Sequence, residues 1–200
     1  MTQPDKRRKI LDAAVSVFAR NGYYSSKVSD IAREAGVADG TIYLYFKNKE
    51  DLLIQVFLDT MNVILERQEQ VLAGMTDPTE RLRAFITTHF DLVSSSPALA
   101  EVVTVELRQS SKFMRSTDMK PFGRYLGIIA RIVQEGQEGG FFASTVPARR
   151  VARALFGVLD EFALEWAMAE QPAPLSEVAE ETTQLFLEGL RLHPGAAAGQ

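Results

Sequence analysis

The sequence predicts an all-α fold of nine helices. Apolar residues recur at helical spacing through nearly the whole chain, no run alternates apolar and polar with period two, and Gly, Pro, Asn and Ser clusters punctuate the helical segments. The first helix carries Ile10, Leu11, Ala14, Val17 and Phe18 on one side and ends at Asn21-Gly22. The second fits Lys27 to Ala35, with Ser26 as its N-cap and Gly36 supplying the turn after it. A short third helix fits Asp39 to Tyr45. Asn48 caps a long fourth helix, with Glu50 and Asp51 favourably placed in its first turn, that runs to Gly74. Asp77-Pro78 opens a fifth helix with Leu82, Phe85, Ile86, Phe90 and Val93 on one side. The sixth spans Pro97 to Ser110, the seventh Ser116 to Glu138, the eighth Pro147 to Glu170 and the ninth Pro174 to Leu192.

Composition narrows the function classes. Hydrophobic residues at 46% and charged residues at 24% fit an ordinary globular protein rather than a disordered one. The longest apolar stretch, 152–169, is broken by Arg153, Asp160, Glu161 and Glu165, so no membrane span is expected. The polar, basic N-terminus has no apolar run behind it, which argues against a secretory signal and for a cytoplasmic protein. There is no cysteine and only His89 and His193, so neither a metal centre nor a cofactor is expected. Residues 1–55 carry nine Lys or Arg against seven Asp or Glu (+2), while the remainder carries thirteen against nineteen (−6). Two weakly opposed halves fit two separate jobs.

Two short helices around a glycine turn, packed by a preceding helix, make a helix-turn-helix. Val28, Ile31, Ala32, Ala35, Val37 and Ile42 form its apolar side with Phe18. Asp39, Gly40, Thr41, Tyr43 and Tyr45 are then left facing outward, where hydroxyls suit phosphate and base-edge contacts and Gly40 permits close approach. Lys27, Arg33, Lys47 and Lys49 flank this surface, and Lys6 to Lys9 lie within reach of phosphates or a minor groove.

Gly22-Tyr23, Ile31-Ala32, Ala35-Gly36-Val37, Gly40-Thr41-Ile42-Tyr43, Tyr45-Phe46 and Lys49-Glu50 closely resemble the DNA-binding domain of the TetR family of bacterial transcriptional regulators. The resemblance implies a TetR-like fold: a helix-turn-helix domain over 1–47, a ligand-binding and dimerisation domain over 48–193, and a flexible tail over 194–200. It further implies a homodimer that a small-molecule ligand releases from double-stranded, inverted-repeat operator DNA. By position, Gly40, Thr41 and Tyr43 match recognition-helix contacts, with Asp39 beside them. Ser26, Lys27, Tyr45 and Lys49 match phosphate contacts. Ala38 departs from the serine or threonine common at that helix start.

The eighth helix is apolar around much of its circumference, and such a helix needs partners on more than one side. Val151, Leu155, Val158 and Phe162, with Val178, Leu185 and Phe186 of the ninth, are the expected dimer surface. The fifth to seventh helices supply Phe90, Val93, Leu99, Val103, Leu107, Phe113, Tyr125 and Ile129 as candidate ligand-lining residues, joined by Leu159, Phe162 and Trp166. Arg108, among several nearby cations, is the candidate partner for phosphates, since guanidinium matches their geometry. Together these suit an acyl tail with a phosphorylated head. Gly36 through Asp51, Glu106 to Ser110, and Phe156-Gly157 with Asp160-Glu161 and Trp166 are similar to the FadR-type members. That likeness implies control of fatty-acid degradation genes and release by long-chain acyl-CoA.

Two other readings compete. A multidrug or other lipid sensor controlling an efflux pump needs Asp160, Glu161 or Glu165 pointing inward. An esterase would use Ser94 to Ser96 with His89 and Asp91, but no Gly-x-Ser-x-Gly elbow is present, so no enzyme is expected.

Overall fold

The computed structural model describes residues 3–106, 120–170 and 172–191. These form α1 Gln3–Asn21, α2 Val28–Ala35, α3 Asp39–Ile42, α4 Lys49–Leu72, α5 Pro78–Ser95, α6 Pro97–Glu101, a π-helical turn Val102–Glu106, α7 Lys120–Glu138, α8 Ala148–Met168 and α9 Leu175–Gly189. No strand occurs among the described residues. None of their helices is long and apolar enough to cross a membrane. Leu107, Arg108, Phe113, the expected start of the seventh helix and the expected 194–200 tail lie outside the described residues.

Local chemistry sets most boundaries. Asn48 accepts the Asp51 amide (2.8 Å) while Asp51 accepts the Lys47 amide (2.8 Å), a reciprocal cap on α4. Asp77 accepts the amides of Thr79 (2.7 Å) and Glu80 (3.2 Å) at the start of α5. α2 ends in a six-to-one closure: Val37 N–H donates to Ala32 O (2.9 Å), and Gly36 sits at φ 67° in the left-handed region.

Three expected boundaries shift. Ser26 is not the cap of α2; Lys27 holds that position in extended conformation, without a side-chain bond. The Ser26 hydroxyl turns back to the carbonyls of Gly22 (2.7 Å) and Val17 (3.2 Å). α3 stops at Ile42 rather than Tyr45, because Ala38 offers no capping side chain and two of its four residues are β-branched. α6 gives way to the π turn at Val102, where Val102-Val103-Thr104-Val105 sets four β-branched residues in a row. Thr104 bonds back to the Ala100 carbonyl at 2.8 Å.

The chain divides into two compact units. The first holds α1 to α3, α4 as far as Asn62, and the segment from Ser95 that contains α6 and the π turn. Its core buries Ile10, Ala14, Val17 and Phe18 against Ile31, Ala32, Ile42, Phe46, Leu52 and Leu53. The Arg7 guanidinium grips α4 with both nitrogens on Asp59 (2.8 and 3.1 Å) and one on Gln55 (3.1 Å), above the Phe46 ring. The first half of α4 therefore packs into the core of the first unit.

The second unit holds the rest of α4, α5 and α7 to α9. α7 and α8 pack against each other over Tyr125, Ile129, Ile132, Val133, Leu155 and Leu159. Buried Gln68 donates to the Phe85 carbonyl (3.0 Å), tying α4 to α5. Ion pairs Arg81–Glu135, Arg83–Glu180 and Arg124–Glu69 join α5 to α7, α5 to α9, and α4 to α7.

Gly136 admits the turn after α7. Its carbonyl accepts both the Phe141 and Phe142 amides (2.8 and 3.0 Å), which lays the buried Phe142 ring over the glycine. A Cβ there would stand 2.2 Å from the ring edge. Because Phe142 is held by its own amide, Gly136→Ala should destabilise the protein by roughly 1–3 kcal/mol through overpacking. A urea midpoint equal to that of the wild type would show that the ring gives way freely.

Candidate nucleic-acid interface and effector core

α3 and the turn after it present the outward face that the sequence spacing predicts. Ile42 points into the core, whereas Asp39, Gly40 and Tyr43 are exposed and Thr41 and Tyr45 are half-buried. Tyr43 is 57% exposed. Leu44, at 81%, is more exposed still and was missed from the sequence; it lies in the turn after α3. Nothing within 4 Å of Gly40 would meet an added Cβ, so the backbone is open to close approach on that side. Lys27 and Lys47 are exposed, and neither ammonium has an acidic partner among the described residues. α3 and its turn offer hydroxyls, an apolar tip and an open backbone, and Lys27 and Lys47 flank them in sequence.

Other expected contacts are spent within the unit. The Lys49 ammonium donates to the carbonyls of Tyr23 (2.7 Å), Tyr24 (3.2 Å) and Ser26 (2.9 Å) and lies 4.5 Å from the centre of the Tyr23 ring. Partial burial pulls its pKa below the ordinary lysine value. It therefore positions the α1–α2 loop. Ser26 is 3% exposed with its hydroxyl engaged, so that side chain is not open to phosphate. Arg7 faces α4, Arg8 pairs with Asp12 (3.0 Å), and Arg33 pairs with Asp30 (2.6 Å). The basic N-terminal cluster is thus built into α1 instead of forming a free arm.

In the second unit an aromatic cluster occupies the space between α5, α7 and α8. Tyr125 lies 5.0 Å from Phe85 and 6.1 Å from Phe156, and Phe122 stacks edge-on to Phe156 at 4.8 Å. His89 joins it: Nδ1 is 2.8 Å from the Tyr125 hydroxyl, and Nε2 is enclosed with no hydrogen-bond partner. His89 as a whole is half-buried, and its Nε2 is covered. Burial holds His89 down to about 4, with the Leu159 backbone carbonyl pulling the other way. Burial also pushes the Tyr125 hydroxyl well above the ordinary tyrosine range, with Asp160 adding to the shift. His89 is committed to Tyr125, and Ser94 donates to the Asp91 carbonyl (3.0 Å), so these residues form no nucleophile–base pair.

Residues 10–56 match the family described as bacterial regulatory proteins, tetR family, and residues 57–189 match the YsiA-like protein C-terminal region. The chain belongs to the TetR family. It is 40% identical over 185 residues to the fatty acid metabolism regulator protein of Bacillus subtilis, covering 92% of this chain and 95% of that one. The structure of the fatty acid degradation regulator FadR from Bacillus halodurans superposes with a TM-score of 0.88 at 37% identity, covering 96% of this chain and all of the other. FadR from B. subtilis in complex with stearoyl-CoA gives 0.85 at 39% identity, covering 92% and 99%.

Within this TetR-family chain the expected ligand-lining residues divide between the units. Phe90, Tyr125, Ile129 and Leu159 are buried in the second unit, and Val93, Phe162 and Trp166 are half-buried there. Leu99 and Val103 are half-buried in the first. His89, Phe85, Phe122 and Phe156 complete the cluster. His89 was legible only as the residue four after Phe85, one helical turn along α5. A shallow groove of about 170 Å³ lined by Glu69, Leu72, Ala73, Arg81, Ile128 and Arg131 is too small for a lipid-sized ligand. Of the three acids on α8, Glu161 and Glu165 face solvent. Asp160 is half-buried and acts on the buried Tyr125 hydroxyl, so one inward acid of the kind a cationic-drug sensor needs is present.

Val151 and Leu155, expected on the dimer surface, are buried within the second unit, where α8 packs against α7. Val158, Phe162, Val178 and Phe186 are half-buried, and Leu185 is 63% exposed. Met168 at the end of α8 is also exposed.

Two outcomes are expected. Lys49→Met should lower stability by roughly 1–3 kcal/mol, because three carbonyls lose their donor. Unchanged thermal unfolding would mean that water replaces the ammonium freely. In the pH experiment, His89 has a folded pKa of about 4 against 6.5 in the unfolded chain, so the unfolded chain binds the extra proton between those values. Its contribution is complete above pH 6.5 and is lost as pH falls toward 4, amounting to about 2 kcal/mol by pH 5. Urea unfolding from pH 4.5 to 7.5 should show this slope in the wild type and a shallower one in His89→Phe.

Proposed function

We propose that the chain is a cytoplasmic, homodimeric transcriptional repressor that binds an inverted-repeat operator and is released by long-chain acyl-CoA, controlling fatty-acid degradation genes. The observation that carries this reading is likeness along both units at once: 40% identity over 92% of the chain to a fatty acid metabolism regulator. The superposition on FadR in complex with stearoyl-CoA supports the effector class. The exposed face of Asp39, Gly40, Thr41 and Tyr43, with Leu44 at its tip and Lys27, Lys47 and Tyr45 beside it, suits the major groove. The Ser26 and Lys49 side chains act indirectly in this reading, by shaping the loop that carries the surface.

The dimer surface is assigned to Val158, Phe162, Val178, Leu185 and Phe186. Two-fold symmetry then matches an inverted repeat. The effector is held by the aromatic cluster around Phe90, Tyr125, Ile129, Leu159, Phe162 and Trp166. Val93 supplies further apolar lining there, and Leu99, Val103, Leu107, Phe113 and Arg108 stay as candidates read from the sequence, Arg108 for the head-group phosphates. No cofactor or metal enters the scheme.

Native mass spectrometry of the purified protein with stearoyl-CoA, stearic acid or a cationic dye tests the effector. A dimer that takes up the thioester selectively and then leaves operator DNA is expected. Uptake of the dye alone would move the protein to the multidrug class. Tyr43→Ala should weaken operator binding about tenfold, as for one lost contact, with effector uptake intact. Operator affinity should fall steeply with salt, because each phosphate contact releases counterions. Arg108→Ala should weaken stearoyl-CoA more than stearic acid, and an equal loss of both would make that arginine structural.

A further inference from the structure

Among the described residues the most exposed large apolar side chain is Leu44, at 81%, in the turn after α3. The core sets its position. Ile42 and Phe46, two residues before it and two after, are 1% and 2% exposed. The Leu44 amide donates to the Thr41 carbonyl (3.2 Å), and the Tyr45 and Phe46 amides both donate to the Ile42 carbonyl (3.0 Å each). The backbone thus keeps winding past the end of α3, and a residue midway between two inward anchors is carried to the outward side. Leu44 is held out on hydrogen-bonded backbone, with Tyr43 beside it at 57%.

A single exposed leucine is ordinary on a protein surface. This one stands on the element proposed to meet DNA, where open space at Gly40 admits close approach and the exposed Lys47 follows three residues on. Its isobutyl group can neither donate nor accept a hydrogen bond. In the major groove the edges of guanine, adenine and cytosine present only polar atoms, whereas thymine adds an apolar 5-methyl group. Against a polar edge Leu44 would strip water from donors and acceptors and return nothing, which costs binding energy. Against the methyl group it takes two apolar surfaces out of water together. The hydroxyls of Thr41 and Tyr43 suit polar partners; Leu44 suits only an apolar one.

Resting on the operator-binding reading above, we propose that Leu44 reads the 5-methyl group of a thymine in the major groove and is the apolar specificity determinant of this surface. It selects thymine over cytosine at that position, and it does so without a hydrogen bond.

The test begins with duplexes that the full-length wild type selects from a random-sequence duplex pool. Each thymine of the selected sequence is then replaced in turn by uracil, which removes the methyl group and keeps every hydrogen-bonding atom. At one thymine or more in each half-site the wild type should bind the uracil duplex about fourfold more weakly, the value of one buried methyl group. At that position the ratio should fall toward one in Leu44→Ala and persist in large part in Leu44→Met, which keeps an apolar tip. Each ratio is measured on one protein, so a general weakening of DNA binding leaves it unmoved. Equal binding of every uracil duplex by the wild type overturns the assignment. So does a selected sequence without thymine. A penalty that survives in Leu44→Ala overturns it as well, because the methyl group then acts through another side chain or through the DNA itself. If no sequence is selected at all, the operator-binding reading fails, which separates that failure from an error about Leu44.

Discussion

A helix of four residues has no stability of its own, and the outward surface proposed to meet DNA is built on one. Helix formation in water needs several turns before it propagates, so α3 exists only because Ile42 and Phe46 are drawn into the core formed by Phe18, Ile31, Ala32, Leu52 and Leu53. Every outward group follows from that anchoring. With Ile42 inward, Tyr43 and Leu44 must emerge on the opposite side, and the turn through Tyr45 returns the chain to the core at Phe46. The outward surface is the exposed remainder of a buried pair.

Charge has been divided between holding this surface and presenting it. Arg7 and Lys49 both sit where solvent is partly excluded, and both are saturated: Arg7 by Asp59 and Gln55, Lys49 by three carbonyls and the Tyr23 ring. A cation committed to that many acceptors has little left for an incoming phosphate. Lys27 and Lys47 are exposed, and their ammonium groups, with no acidic partner among the described residues, retain theirs. The small positive balance of residues 1–55 therefore understates the asymmetry, because several of its cations are neutralised locally.

The second unit is organised around a different constraint, the enclosure of a polar pair among aromatic rings. His89 and Tyr125 satisfy each other on one side, which lets α5 approach α7 without a charge in the core. The same enclosure keeps the imidazole neutral and its second nitrogen covered.

The helical class, most element boundaries and the family were legible in the sequence, because they rest on local signals. Asn48, Asp77 and Gly36 act on backbone groups within five residues of themselves, and apolar spacing on one helix needs no knowledge of the next. The outward set on α3 was legible for the same reason, although Leu44 was overlooked once α3 was read as a longer helix. What each side chain is spent on was not legible. Nothing local shows that Lys49 will find carbonyls 23 to 26 residues away, that Arg7 will reach Asp59, or that His89 will meet Tyr125. Nor does the stripe on α8 reveal which side faces α7, so Val151 and Leu155 read as surface until packing placed them inside. Periodicity says which residues share a face; only the tertiary contacts of the folded chain decide what that face meets.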